Sequence, residues 1–357
     1  MSPEDVSPTR ALLVRLRPTT PWRLGPECGS RDRVDPVCHS DTLYSAVCSA
    51  MEQLGLLADW LEATAARGNE SKVAFTSCFP FLGDTLLVTP PRHLWPPVPS
   101  SKIRWKGARF VPLKVVERLV AGAALSEDDW VVDGGSGCLL PAIPRNNLRG
   151  PFRVVTRPAA AVDRLTAAAI EPHLTACLEF SENAGVWCVA AFANPEALER
   201  WREPVEAAFR LLADSGIGGE RSRGWGRSSS PEFRLGSLPE LILAASFEPP
   251  VSEETGEPAP RPETAWWMLS LFSPADTDQV DWRRGEYAFA ARAGRIESRA
   301  GWGEMKRSVR MVAEGSVLIA GAPPAGTARD VAPEGFAHPV YRAGFAVAIP
   351  IPYRGAA

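Results

Sequence analysis

The chain has 357 residues, 45% apolar and 23% charged. That is enough apolar material for a buried core, too much for a disordered chain, and the length accommodates two domains at roughly 100–200 residues each. Its 34 prolines and 29 glycines favour short strands and turns over a long helical bundle.

No apolar run approaches the roughly 18 residues of a spanning helix, and the start MSPEDVSPTR is polar where a signal peptide needs an apolar run. A cytoplasmic protein without a membrane partner is expected. Seven cysteines, at 28, 38, 48, 78, 138, 177 and 188, never form C-x-x-C, so reduced thiols are expected in place of a zinc site or a disulfide framework. The net charge is −3, which by itself argues against nucleic acid, but its distribution is uneven. Lys102, Arg104, Lys106, Arg109, Lys114 and Arg118 face one acid, Glu117. Arg145, Arg149, Arg153, Arg157 and Arg164 face Asp163, and Arg221, Arg223, Arg227 and Arg234 follow. Acids gather at Glu248, Glu253, Glu254, Glu257 and Glu263.

In chain order, residues 11–17 alternate as a half-buried strand does. A helix starts at Ser40, whose hydroxyl can cap it, with Asp41 favoured by the helix dipole; Leu43, Val47, Met51 and Leu54 form its apolar stripe. Residues 73–81 and 84–90 read as strands around Gly83. From about 90 to 160 the chain is proline-rich and basic without a long periodic element, an insertion or extended hairpin. Residues 185–192 read as a buried strand. A second helix follows, capped by Asn194 with Pro195 at its first position, buried through Leu198, Trp201, Val205, Phe209 and Leu212, and stopped at Gly216. Residues 231–236 form a short strand, 248–263 an acidic, proline-rich loop or linker, and the remainder is mostly strands.

This order matches a split β-α-β arrangement. The expected class is α+β: two ferredoxin-like (RRM-like) domains, over 11–238 and 239–357, with a large insertion at about 90–160 in the first and a β-rich, degenerate second.

The segment 216–227 carries the functional argument. It holds Gly216, Gly218, Gly219, Gly224 and Gly226, with Arg221, Ser222, Arg223, Trp225 and Arg227 among them. Glycines allow positive φ and close approach of backbone N–H groups to a ligand, arginines supply forked donors for phosphate, and Trp225 offers a stacking face. The segment has no Gly-Lys-Ser/Thr, so it is not a P-loop. Arg221 stands where a dinucleotide fingerprint has its third glycine. A flexible turn with solvated arginines is the alternative.

This loop resembles the C-terminal glycine-rich loop of the RAMP proteins of CRISPR effector complexes. Cys38-His-Ser-Asp-Thr-Leu-Tyr44, Arg157-Pro with Val162-Asp-Arg-Leu165, Arg307 with Met311 and Glu314-Gly-Ser-Val317, and His338-Pro-Val-Tyr341 are similar to segments of the fourth Csm subunit of type III-A systems, from about 11 to 350. The resemblance implies a subunit with no catalytic residue, metal or cofactor. It would hold the 5′ handle of the guide RNA, the large palm-domain subunit and the first backbone RAMP subunit. Residues 216–227 would contact RNA, His39 and Ser40 would lie near the handle, and a protruding hairpin would fall within 90–160. Arg145, Arg149, Arg153 and Arg157 are further candidate RNA contacts. So are Lys306 and Arg307, beside an echo of the loop at 300–303.

The alternative within the same superfamily is a metal-independent ribonuclease with His39 moving protons at a 2′-hydroxyl. No H-E-x-x-H, paired-carboxylate or G-x-S-x-G signature occurs. Asp163-Arg164 reads as a local salt bridge.

Overall fold

The computed structural model describes residues 9–26, 29–66, 70–97, 103–142, 149–243, 263–298 and 301–353. Lys102, Arg145 and nearly all of the acidic stretch 248–263 lie outside them. The first half runs β1 (Arg10–Leu16), α1 (Ser40–Gln53), α2 (Leu57–Ala65), β2 (Val73–Phe75), β3 (Phe79–Leu82) and β4 (Thr85–Val88). Next come α3 (Ile103–Lys106), β5 (Val111–Pro112), α4 (Leu113–Val120), β6 (Trp130–Val132) and β7 (Leu139–Pro141). A long hairpin of β8 (Phe152–Val162) and β9 (Ala169–Phe180) leads to β10 (Ala184–Phe192), α5 (Pro195–Ser215) and β11 (Glu232–Ser237).

The main sheet has the order β11-β1-β10-β3-β4-β5, with β2 also on β10. All its pairings are antiparallel. Its centre is β10, buried at every position from Ala184 to Phe192. β1 runs beside it in the register Leu12↔Ala190 and Val14↔Cys188. Leu12, Leu13 and Val14 are all buried, so β1 is covered on both faces where its alternation predicted one. Arg15 stays partly exposed, its guanidinium 4.2 Å from the centre of Phe81 and 2.6 Å from the Gly83 carbonyl.

The two long helices form as expected but begin differently. Asn194 caps α5, its Oδ1 accepting the Ala197 N–H at 2.8 Å, and Trp201, Val205, Phe209 and Leu212 are buried. In α1 the N-cap is His39, with no side-chain cap bond. Gly55, at φ +75°, separates α1 from α2, a second helix beyond the expected stripe.

The basic stretch after residue 100 contains a helix that the sequence reading missed. In α4, Val115, Val116, Leu119 and Val120 are buried while Lys114 and Arg118 are exposed, which makes those cations the wet side of an amphipathic helix. The long hairpin pairs from Phe152↔Phe180 to Val162↔Ala169 and so runs well past the expected limit of 160. At its turn the Asp163 carboxylate accepts the Leu165 N–H at 2.8 Å, in place of a salt bridge to Arg164.

The second half comprises β12 (Thr264–Met268), β13 (Phe289–Arg292), β14 (Arg295–Ser298), β15 (Gly301–Met305), β16 (Val309–Val312), β17 (Val317–Ile319), β18 (Gly326–Asp330), β19 (Tyr341–Phe345) and β20 (Ala348–Pro352). Its largest sheet has the order β17-β12-β20, and its described residues contain no helix. The chain is thus a mixed α and β fold with its helices in the first half.

One apolar cluster joins the halves, from Leu12 to Ile351. Its aromatic spine runs from Phe345 to Tyr44 (5.7 Å), Tyr44 to Trp60 (6.1 Å) and Trp60 to Trp201 (5.2 Å, edge to face). Trp60 is completely buried at the junction of α1, α2 and α5. Trp60→Ala should cost about 3–5 kcal/mol in denaturant unfolding, and Trp60→Phe distinctly less. A loss below about 1 kcal/mol for the alanine variant would mean that the spine does not join the helices.

Candidate nucleic-acid interface

The glycine-rich loop is built by close approach of the chain to itself. Gly216 ends α5 at φ +92°, and a Cβ there would lie 2.4 Å from the Trp225 carbonyl oxygen. A Cβ on Gly218 would lie 2.3 Å from the Arg23 oxygen, and one on Gly226 2.3 Å from the Ile217 oxygen. The N–H groups follow the same logic. Ile217 donates to Gly226 (3.0 Å), Gly219 to Arg23 (2.8 Å), Gly226 to Pro21 (2.8 Å) and Ser228 to Ala213 (2.9 Å). These glycines therefore close a rigid platform, where the sequence reading had them opening the backbone toward a ligand. Gly224 differs, with φ +78° and open space around it. What the platform presents is side chains: Ser222, Arg223 and Arg227 are exposed, and Arg221 and Trp225 half-exposed. Glu220 holds Arg223 at 3.2 Å.

A strut from residues 21–24 fixes this platform to the base of the hairpin. Trp22 is buried, exchanges backbone hydrogen bonds with Leu178 of β9 (3.0 and 2.8 Å), and donates from its indole to the Arg227 carbonyl at 3.4 Å. Arg23 is buried too, and its guanidinium donates to the carbonyls of Ser30, Arg31, Arg33 and Ala176. Burial lowers its pKa. Saturating those carbonyls pins residues 30–33 beside β9 and leaves the Arg31 and Arg33 side chains exposed. From β8, Arg157 reaches the Trp225 ring at 5.7 Å, and Arg153 and Arg157 share Glu179 at 2.8 and 2.6 Å. Both side chains remain largely in solvent, Arg153 at 64% and Arg157 at 47% exposure.

Three remote stretches thus converge: 31–33, 153–157 and 221–227. Arg149 is exposed close by, at the hairpin base. Sequence reading missed Arg31 and Arg33, although an Arg-Asp-Arg run after Gly29 was a signal. Lys306 and Arg307 belong to the second half, where Arg307 donates to the Asp330 carbonyl at 2.9 Å. The echo at 301–303 forms part of the β14–β15 hairpin. No group of three or more His, Cys, Asp or Glu among the described residues is arranged to hold a metal.

His39 and Ser40 have a different employment, inside the protein. The imidazole lies between Glu314 (Nδ1 to Oε1, 2.7 Å) and Asp35 (Nε2 to Oδ2, 3.0 Å). Ser77 donates to Glu314 and accepts the Ser40 N–H at 2.8 Å. The Ser40 hydroxyl, expected to cap α1, instead accepts the Leu271 N–H at 3.0 Å. Next to it, buried Asp41 receives Arg292 through two bonds of 3.1 Å and Arg342 through a third. The residues at the start of α1 are therefore consumed in holding the second half, which is why they do not face outward. Burial disfavours the imidazolium, but the Glu314 carboxylate and the hydrogen bonds that the ring donates to both carboxylates raise His39 to about 10. Burial likewise opposes Glu314 and Asp41 as anions, and their cationic partners hold both below the usual carboxylate range.

Comparison with known proteins agrees with this fold. Residues 262–351 match the family model of the CRISPR Csm4 C-terminal domain. A chain in the crystal structure of a Csm3-Csm4 subcomplex in the type III-A CRISPR-Cas interference complex matches at TM-score 0.60 and 14% identity, covering 96% of this chain and 99% of its own. A chain in the crystal structure of a Csm1-Csm4 cassette in complex with pppApA matches at TM-score 0.54 and 17% identity, over 96% and 98%. At such identities the two structures show a common fold. Among curated proteins, none matches the sequence. The chain thus carries the Csm4 C-terminal domain, of the family its sequence motifs resemble.

Two outcomes follow from the geometry. Gly226→Ala, at φ +85° and against the Ile217 backbone, should disrupt the loop and alter Trp225 fluorescence, whereas Gly224→Ala should cost only the left-handed backbone term of about 1–2 kcal/mol. Equal effects of the two would show that the platform is not close-packed. Because the folded His39 pKa lies above the ordinary 6.5, its stabilisation is complete below about pH 6.5 and is lost as pH rises through about 10. The stability deficit of His39→Gln should therefore be largest near pH 6, about 3–5 kcal/mol, and shrink by pH 10. A pH-independent deficit in paired denaturant titrations would contradict the charged clasp.

Proposed function

We propose that this chain, with its Csm4 C-terminal domain, is a non-catalytic RNA-binding subunit of a type III-A CRISPR interference complex acting in antiviral defence in the cytoplasm. It caps the 5′ handle of the guide RNA and links the large palm-domain subunit to the backbone RAMP subunits. The observation that carries the RNA-binding part is the convergence of exposed arginines from 31–33, 153–157 and 221–227 on one close-packed platform, beside the half-exposed ring of Trp225. Guanidinium forks suit phosphate oxygens, and an aromatic face suits a base. Such a group can hold a strand in one orientation without moving any proton.

The first-half topology supports a ferredoxin-like reading. Taking β2–β3 as one broken strand, the elements β1, α1, β2–β3, β10, α5 and β11 follow the order β-α-β-β-α-β, with the sheet order fourth, first, third, second. The second half is read as a degenerate, helix-poor relative of the same plan. Because β10 is buried throughout, the RNA would be held by loop and hairpin at the edge of this unit, not on an open sheet face as in an RRM. Partnership with the large and backbone subunits rests on the relatives, whose crystal structures pair Csm4 with Csm1 and with Csm3.

The ribonuclease alternative needs a histidine that changes protonation near neutral pH beside a 2′-hydroxyl. His39, raised to about 10 and engaged at both ring nitrogens, is poorly suited to that task, so the non-catalytic reading is preferred.

Arg221→Ala, Arg223→Ala and Arg227→Ala together should remove most co-purifying guide RNA. Since each lost phosphate contact reduces the salt slope of log K by about 0.9 for duplex DNA and about 0.7 for a single strand, the triple variant should also bind a repeat-derived RNA with a shallower salt dependence. Unchanged occupancy and slope would overturn the reading.

A further inference from the structure

Below the platform, where the hairpin meets the β6–β7 pair, is a cleft of about 330 Å³, within the roughly 300–1,000 Å³ of small-molecule sites. The geometry points to this cleft as a nucleotide site selective for a base with an exocyclic amino group. The inference rests on the RNA-binding reading for its natural occupant, a base of the bound strand, though a free nucleotide has the same chemistry.

Three parts of the lining supply what a nucleotide needs. One wall is apolar: half-buried Phe180 lies against buried Phe152, ring centres 5.9 Å apart, and gives a flat base a ring to lie along. At the mouth stand two exposed guanidinium groups. Arg153 is tied to Glu179, whereas Arg149 has no polar partner among the described residues, which leaves its donors free for a phosphate. Half-buried Asp133 also lines the cleft. Its Oδ2 accepts both the N–H and the hydroxyl of Ser136, at 2.8 and 2.6 Å, and Oδ1 receives neither bond. A fixed carboxylate oxygen accepts from the amino group of cytosine, adenine or guanine, whereas uracil flanks its single ring N–H with two carbonyl oxygens that a carboxylate repels.

The cleft is also held rigidly. A Cβ on Gly150 would lie 2.1 Å from Asp133 Oδ2 and 2.3 Å from the Ser136 hydroxyl, so only glycine lets the backbone beside Arg149 press against Asp133. Ser181 donates to the Gly150 carbonyl at 2.6 Å from the other side. The cleft is one side-chain layer from the arginine platform: Phe180 packs edge-on to Trp22 at 6.0 Å, and the Trp22 indole donates to Arg227. A strand crossing Arg157 and Arg227 can turn one base into the cleft.

The test uses the full chain and two kinds of probe. In calorimetric titration, AMP, CMP and GMP should bind about tenfold tighter than UMP, the scale of one well-placed base contact. Arg149→Ala should weaken AMP several-fold, and the isosteric Asp133→Asn should abolish the preference over UMP while circular dichroism and unfolding temperature show the fold intact. With RNA octamers, anisotropy should reveal one position at which an abasic residue or a uracil costs about tenfold, and Arg149→Ala should remove that penalty. If base identity matters at no position and the four monophosphates bind alike or not at all, the cleft is no nucleotide site, while octamer binding lost in the Arg221, Arg223 and Arg227 variant would leave the RNA-binding reading standing. If no octamer binds the wild type, that reading falls, and selective monophosphate binding would identify the occupant as a free nucleotide.

Discussion

The fold depends on three cations and three carboxylates that meet at the first turn of α1. His39, Arg292 and Arg342 face Asp35, Asp41 and Glu314, and the charges cancel within hydrogen-bond distance. Buried charges are costly in isolation, and removing one member of such a set strands its partner. A group of this kind adds little net stability over an apolar contact, but it tolerates few arrangements. Here it fixes how the strand-rich second half sits on the helices of the first, since Arg292, Glu314 and Arg342 come from the second half and His39 and Asp41 from the first. The aromatic spine from Phe345 to Trp201 supplies the apolar burial alongside it.

Once the halves are fixed, the exposed arginines acquire their setting. The platform at 216–227 has few backbone donors left for a ligand, because it spends them on residues 20–23 and on itself. A side chain anchored to a close-packed loop of this kind has less freedom to lose on meeting a ligand than one on a mobile turn. Arg23 does the corresponding work inside. It spends its N–H donors on carbonyl oxygens and thereby holds residues 30–33 in place, with the Arg31 and Arg33 side chains exposed. Buried and exposed arginines here have opposite tasks, and sequence alone does not separate them.

A proton-transferring histidine needs a pKa near the working pH and an open side. His39 sits between two carboxylates where the two halves of the chain meet, an environment that keeps it charged.

Local signals were enough to determine much of this protein. The Asn194-Pro195 start and Gly216 stop of α5, the buried run of β10, the start of α1 at Ser40 and the glycine-arginine character of 216–227 were all legible, because capping, burial and turn formation act over a few residues. The helix of 113–120 was not, since its short apolar stripe lay hidden among prolines and cations. Nor were the full extent of the hairpin to Phe180, the inward turn of His39 and Ser40, or the purpose of the glycines. These depend on what lies opposite: Glu314 is 275 residues from His39, and Trp22 is 205 from Arg227. A residue's type states which bonds it can make, but only the folded chain brings a partner to it and thereby decides whether it faces solvent or is spent inside.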